Sequence, residues 1–119
     1  MSEVKFYHGQ CHCGAIEFEI ETDLAPVLRC NCSLCKRKGA VMHRTDSERF
    51  RLIKGEDNLS LYQFHTHKAE HYFCKTCGIY THHRPRMNPA LIGVNVGCLD
   101  GVDPLGLDNI QLIDGAAFD

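Results

Sequence analysis

Two observations predict an all-β fold for this 119-residue chain. Short runs of apolar–polar alternation recur along it between turn-forming residues, and only one stretch has helical character. Seven of the eight cysteines also fall into three tight groups: Cys11-His12-Cys13, Cys30-Asn31-Cys32-Ser33-Leu34-Cys35 and Cys74-Lys75-Thr76-Cys77. Thiolates so spaced converge on a cation, and strands this short need such a staple.

Val4 to His8 is the first expected strand. Ala15 to Glu21 follows, where Ile16-Glu17-Phe18-Glu19-Ile20 alternates with a period of two and marks a half-buried strand. Val27 to Cys30 leads into Ser33 to Lys38, a helical turn and a half stopped by Gly39 as C-cap, placed after the central cysteine cluster. Ala40 to Thr45 is the next strand. The turn Gly55-Glu56-Asp57-Asn58 separates it from Leu59 to His65, which repeats the alternation. Glu70 to Phe73, Ile79 to His83 and Ala90 to Val96 complete the set, with turns from Arg84-Pro85 to Pro89 and from Asp100-Gly101 to Pro104.

An internal echo pairs two of the cysteine groups. Cys11 to Ile16 and Cys74 to Ile79 both run from a cysteine pair through glycine into a strand. Glycine there permits positive φ and turns backbone amides toward sulfur. Two like knuckles suit one tetrahedral site, so Cys11, Cys13, Cys74 and Cys77 are assigned to a closed structural centre. Cys30, Cys32 and Cys35 are left as a three-thiolate site with one free position, the pattern of a catalytic metal. That position is closed instead if a histidine or Cys98 fills it. Thiolates favour zinc, two ions per chain, over iron–sulfur, whose usual cysteine runs differ from this one. A thiol coordinated at the open ion would lose its proton and could attack a small aldehyde.

Mass and charge narrow the function. At 13.5 kDa, residues 1–119 read as a single zinc-binding domain, with neither linker nor low-complexity tract. A formal charge of -2, thiols counted neutral, offers no basic excess for nucleic acid, and no apolar run reaches a membrane span of roughly 18 residues. Met1 to His8 lacks a secretory h-region, so cytoplasmic, reduced thiols are expected; a disulfide-stapled domain is the alternative.

Four ordered motifs resemble the glutathione-dependent formaldehyde-activating enzyme family, which shares its domain with centromere protein V. They are Gly9-Gln10-Cys11-His12-Cys13-Gly14 with Ile16 and Phe18; Cys30 to Cys35 with Arg37 and Gly39; His71 to Gly78; and Val94 to Asp100. The resemblance covers about residues 5 to 105. It implies a β-tent of small antiparallel sheets, with a structural zinc on Cys11, Cys13, Cys74 and Cys77 and a catalytic zinc on Cys30, Cys32 and Cys35. It also implies a carbon–sulfur lyase whose reference reaction is S-(hydroxymethyl)glutathione = glutathione + formaldehyde. The chain is short beside the enzyme that names the family.

Of the basic run Lys36-Arg37-Lys38, Arg37 matches the family motif and is the candidate glutathione contact. One of His65, His67, His71, His82 and His83 could move a proton at the adduct, and no spacing selects among them. His12 reads as exposed and Cys98 as a buried free thiol. Asn31 could orient a thiolate or simply make a turn, and Asn95 either faces solvent or makes a satisfied contact. The rival to an enzyme is a non-catalytic, zinc-stabilised binding module.

Overall fold

The computed structural model describes residues 3–64, 66–86, 88, 90–108 and 110–118. Among these residues ten strands form two sheets. They are β1 (Lys5–Gln10), β2 (Glu17–Thr22), β3 (Leu28–Cys30), β4 (Met42–Asp46), β5 (Phe50–Lys54), β6 (Leu59–Tyr62), β7 (Glu70–Cys74), β8 (Tyr80–Arg84), β9 (Leu91–Asn95) and β10 (Gln111–Ile113). The smaller sheet has the order β1-β2-β5, the larger β10-β3-β4-β9-β8-β7-β6. Neighbours run antiparallel except β10, which lies parallel to β3. Among the described residues the one α-helix, α1 (Ser33–Lys38), ends at Gly39 in the left-handed region, as the sequence predicts.

The alternation in β2 becomes the core. Phe18 and Ile20 are fully buried beside Val94, Cys98 and Leu99, with Phe50 and Leu52 of β5 packed on them. Burial of each large apolar side chain stabilises the fold by about 1.5–3 kcal/mol. β5 and β10 are strands the sequence reading does not place. The predicted strand from Leu59 is shorter than expected, ending at Tyr62, and His65 lies outside the described residues.

β8 departs from alternation: Tyr80, Thr81, His82 and His83 are all buried. It is an interior strand of the larger sheet, between β9 and β7. The two sheets are tied where Gly9 bridges Leu99 and the His8 carbonyl accepts from the Asp100 N–H at 2.8 Å.

Candidate metal centres and the thiolate cleft

Each knuckle is built by its own backbone. Gly14 (φ 81) and Gly78 (φ 78) both turn through positive φ, and their N–H groups return to the carbonyls of Cys11 and Cys74 at 3.2 and 2.9 Å. That turn frees other amides for sulfur. The Ile16 N–H donates to Cys11 Sγ at 3.3 Å, and the Thr76 N–H to Cys74 Sγ at 3.3 Å. Asn58 Nδ2 donates to Cys74 Sγ at 3.3 Å and to Thr76 Oγ1 at 3.1 Å.

Cys11, Cys13, Cys74 and Cys77 therefore meet, their sulfurs within 4.8 Å of one another. Two of the separations are 3.7 Å (Cys11–Cys13) and 3.6 Å (Cys13–Cys74). A tetrahedral ion with metal–sulfur bonds near 2.3 Å needs sulfurs about 3.8 Å apart, so the donor set fits zinc. All eight cysteines are free thiols in the structure.

Cys30, Cys32 and Cys35 form a second group within the same 4.8 Å limit. Cys30 ends β3, Cys32 is the N-cap of α1 and accepts from the Cys35 N–H at 3.3 Å, and Cys35 lies inside the helix. Among the described residues, no histidine, carboxylate or further cysteine joins them. Burial pushes the Cys35 thiol up to about 12. Burial also opposes ionisation at Cys32, but the N–H of Cys35, the neighbouring thiols and the N–H of Leu34 outweigh it and lower that pKa.

This second group lies in a cleft of about 120 Å³, lined also by Arg44, Phe64, His71, His83, Pro85 and Ile113. Behind it a C-terminal strap is clasped by Asn31. The Asn31 N–H donates to the Ile113 carbonyl at 3.1 Å, its Nδ2 to Asp114 at 3.0 Å, and its Oδ1 accepts from the Ala116 N–H at 2.9 Å. The Asn31 amide is thus committed to the strap.

The histidines separate clearly. His12 and His67 are exposed, whereas His71, His82 and His83 are buried. The His71 and His83 rings line the cleft with centroids 5.7 Å apart. Desolvation, helped by Lys38, lowers His71 to about 4; desolvation also holds His83 well below its usual value, so both are neutral near pH 7.

Lys38 turns inward, its Nζ 3.4 Å from His71 Nδ1 and 3.7 Å over the Tyr80 ring. Arg37 lies on the exposed side of α1, where Nη1 donates to the Ser33 carbonyl at 2.7 Å. Asn95 makes a satisfied contact, donating to the Tyr80 carbonyl at 2.8 Å and accepting from the Gly97 N–H at 3.0 Å. Cys98 is a buried thiol 3.6 Å from that same carbonyl, pushed up to about 12 by burial.

Sequence reasoning missed Arg44, which carries no motif. It also gives Lys38 only as a member of the basic run Lys36-Arg37-Lys38, with Arg37 preferred. Three residues beyond Cys35, Lys38 shares its helix face, and that spacing was the available signal.

Fold and sulfur clusters together define a mainly antiparallel β protein equipped to hold two metal ions. Residues 6–110 match the profile of the family described as "Glutathione-dependent formaldehyde-activating enzyme", and the chain belongs to that family. A Halomonas elongata protein described by the same family name is 30% identical over 78 residues, covering 58% of this chain and 50% of the relative. The chain thus spans about half the length of the curated relative it matches. The crystal structure of a Rhodobacter sphaeroides protein superposes with a TM-score of 0.85 at 47% identity, covering 89% of this chain and 99% of the other.

Proposed function

We propose that residues 1–119 form one zinc-dependent domain that makes and breaks the carbon–sulfur bond of thiol–aldehyde adducts in the cytoplasm, a carbon–sulfur lyase by reaction class. The reference reaction is S-(hydroxymethyl)glutathione = glutathione + formaldehyde. One observation carries this reading: four sulfurs meet at one cluster and three at the other, and the three lie in a cleft. Family membership supports glutathione and formaldehyde as the reference pair.

Cys11, Cys13, Cys74 and Cys77 would hold a structural zinc, and Cys30, Cys32 and Cys35 a catalytic one. Zinc at the second cluster would offer the substrate's sulfur a position and favour its thiolate form. The chain's own groups do the rest. In the cleavage direction the adduct's hydroxyl loses its proton, the carbonyl forms, and the C–S electron pair leaves with sulfur. In the reverse direction the new oxygen needs a proton. His71 and Lys38 would relay it: with Nδ1 accepting from Lys38, the ring proton sits on Nε2 and passes to the oxygen while Nδ1 takes a proton from Lys38 Nζ. In cleavage the hydroxyl proton returns to Nε2 as Nδ1 gives its own back to Nζ. Phe64, Pro85 and Ile113 exclude water from the reacting carbon. Arg37, outside the cleft lining, is left for the outer part of a peptide thiol such as glutathione.

The test is metal stoichiometry and thiol response on a cobalt-substituted sample. Two ions per chain are expected, with glutathione changing the sulfur-to-metal absorption of one. Cys32→Ser should keep the fold, bind a single ion and lose both this response and catalysed exchange between glutathione and its formaldehyde adduct. A wild type whose spectrum ignores saturating thiol would be a zinc-stabilised binding module instead.

A further inference from the structure

The wall of the cleft includes a cation that the thiol reaction does not use. Arg44 reaches it from β4, and its Nε is buried with no hydrogen-bond acceptor among the described residues. A buried donor left unpaired is costly, and such a group marks a place where an acceptor belongs. Lys38 lies close by, its Nζ near His71 and the Tyr80 ring. Neither cation belongs to an ion pair among the described residues. Both sulfur clusters receive N–H donors, the three-sulfur one from the backbone of Cys32 and Cys35, so the nearby side-chain cations come in addition to those donors.

Resting on the function proposed above, we infer that Arg44, backed by Lys38, is an anion subsite, and that the adduct handled here carries a carboxylate within a few bonds of its sulfur. The carboxylate must be near. A cleft of about 120 Å³ encloses only the reacting end of a ligand, well below the ~300–1,000 Å³ of pockets that surround a drug-sized molecule. A guanidinium also presents the planar donor edge that a carboxylate matches. The carboxylate could arrive on the thiol or on the aldehyde, as in a 2-oxo acid.

The experiment titrates cobalt-substituted wild type with 3-mercaptopropionate and with its neutral analogue 3-mercaptopropanol, at matched thiolate concentration. A second arm compares the glyoxylate and formaldehyde adducts of 3-mercaptopropanol. In one arm the carboxylate ligand should saturate the absorption at about tenfold lower concentration, the size expected for one charge-assisted hydrogen bond. Without the subsite the negative thiolate cluster would repel it, so the sign is diagnostic. Arg44→Gln should abolish the preference and leave neutral-thiol binding within about twofold.

If that variant does not fold, the Arg44 Nε–H resonance of the wild type decides. It should shift, and exchange more slowly with solvent, under the preferred carboxylate ligand but not its neutral partner. Equal binding in both arms, a preference that survives Arg44→Gln, or an unmoved resonance overturns the subsite and leaves the thiol reaction standing. Absence of response to every thiol removes the proposed function, and the subsite with it.

Discussion

His82 is clamped between the rings of Tyr72 and Phe50, at centroid distances of 4.8 and 4.9 Å, and Nδ1 pairs with the Thr81 hydroxyl at 2.8 Å. Desolvation, with Arg84 nearby, lowers its pKa from 6.5 to about 4. The unfolded chain therefore takes up this proton at higher pH than the folded one. Stability falls as pH drops below 6.5, and the loss levels off below 4, at roughly 3 kcal/mol for this group. His82→Phe keeps the stack and removes the proton site. It should flatten acid unfolding between those pH values in near-UV circular dichroism, with metal release followed separately by a chromophoric chelator. An unchanged slope would mean other groups control the acid limb. None of this was legible in the sequence. A histidine's pKa depends on what covers it, and adjacent His82 and His83 lie on a strand buried at both positions.

At the scale of elements, α1 and the strap divide the work around the three-sulfur cluster. The helix was readable from Ser33 to Lys38 because its stop signal is local: Gly39 adopts φ 66 and its N–H caps the Cys35 carbonyl at 3.0 Å. The strap was not. β10 has three residues, Gln111 and Leu112 are exposed, and its partner β3 lies about eighty residues earlier, so no periodicity announces it. β5 escaped because exposed Ile53 interrupts its alternation.

The strap lies beyond the matched residues 6–110 and touches the cluster directly. A Cβ on Gly115 would come 2.3 Å from Cys30 Sγ and 3.0 Å from Cys32 Cβ. Gly115→Ala should thus weaken the second metal site by about tenfold or more, as supporting contacts to metal ligands commonly do, and spare the first. Chelator competition resolves the two affinities. Equal weakening of both, or of neither, would show that the strap does not position Cys30.

Across the whole molecule the two clusters occupy different kinds of place. Cys11 and Cys13 follow β1 of the small sheet, while Cys74 ends β7 of the large one. An ion on the four sulfurs would therefore fasten sheet to sheet, and structural zinc contributes about 10–16 kcal/mol of apparent folding free energy. The other cluster sits near one margin of the large sheet, on β3 and α1. Cys74→Ser should abolish cooperative thermal unfolding, whereas Cys32→Ser should lower the midpoint by about 10 °C or less, both read by calorimetry. Comparable losses in the two variants would show that both centres hold the fold together. Among the described residues no helix is long and apolar enough to cross a membrane.

Local chemistry was enough to set the sulfur spacing, the glycine that turns each knuckle, the helix stop and the alternating face of β2, because each depends on residues a few positions apart. Tertiary structure decided what surrounds the three-sulfur cluster: Arg44 from β4, His71 from β7, His83 from β8 and the strap from the far end of the chain. Strand pairing brings those groups together across long sequence separations, and burial sets their charge only after the sheets have closed around them.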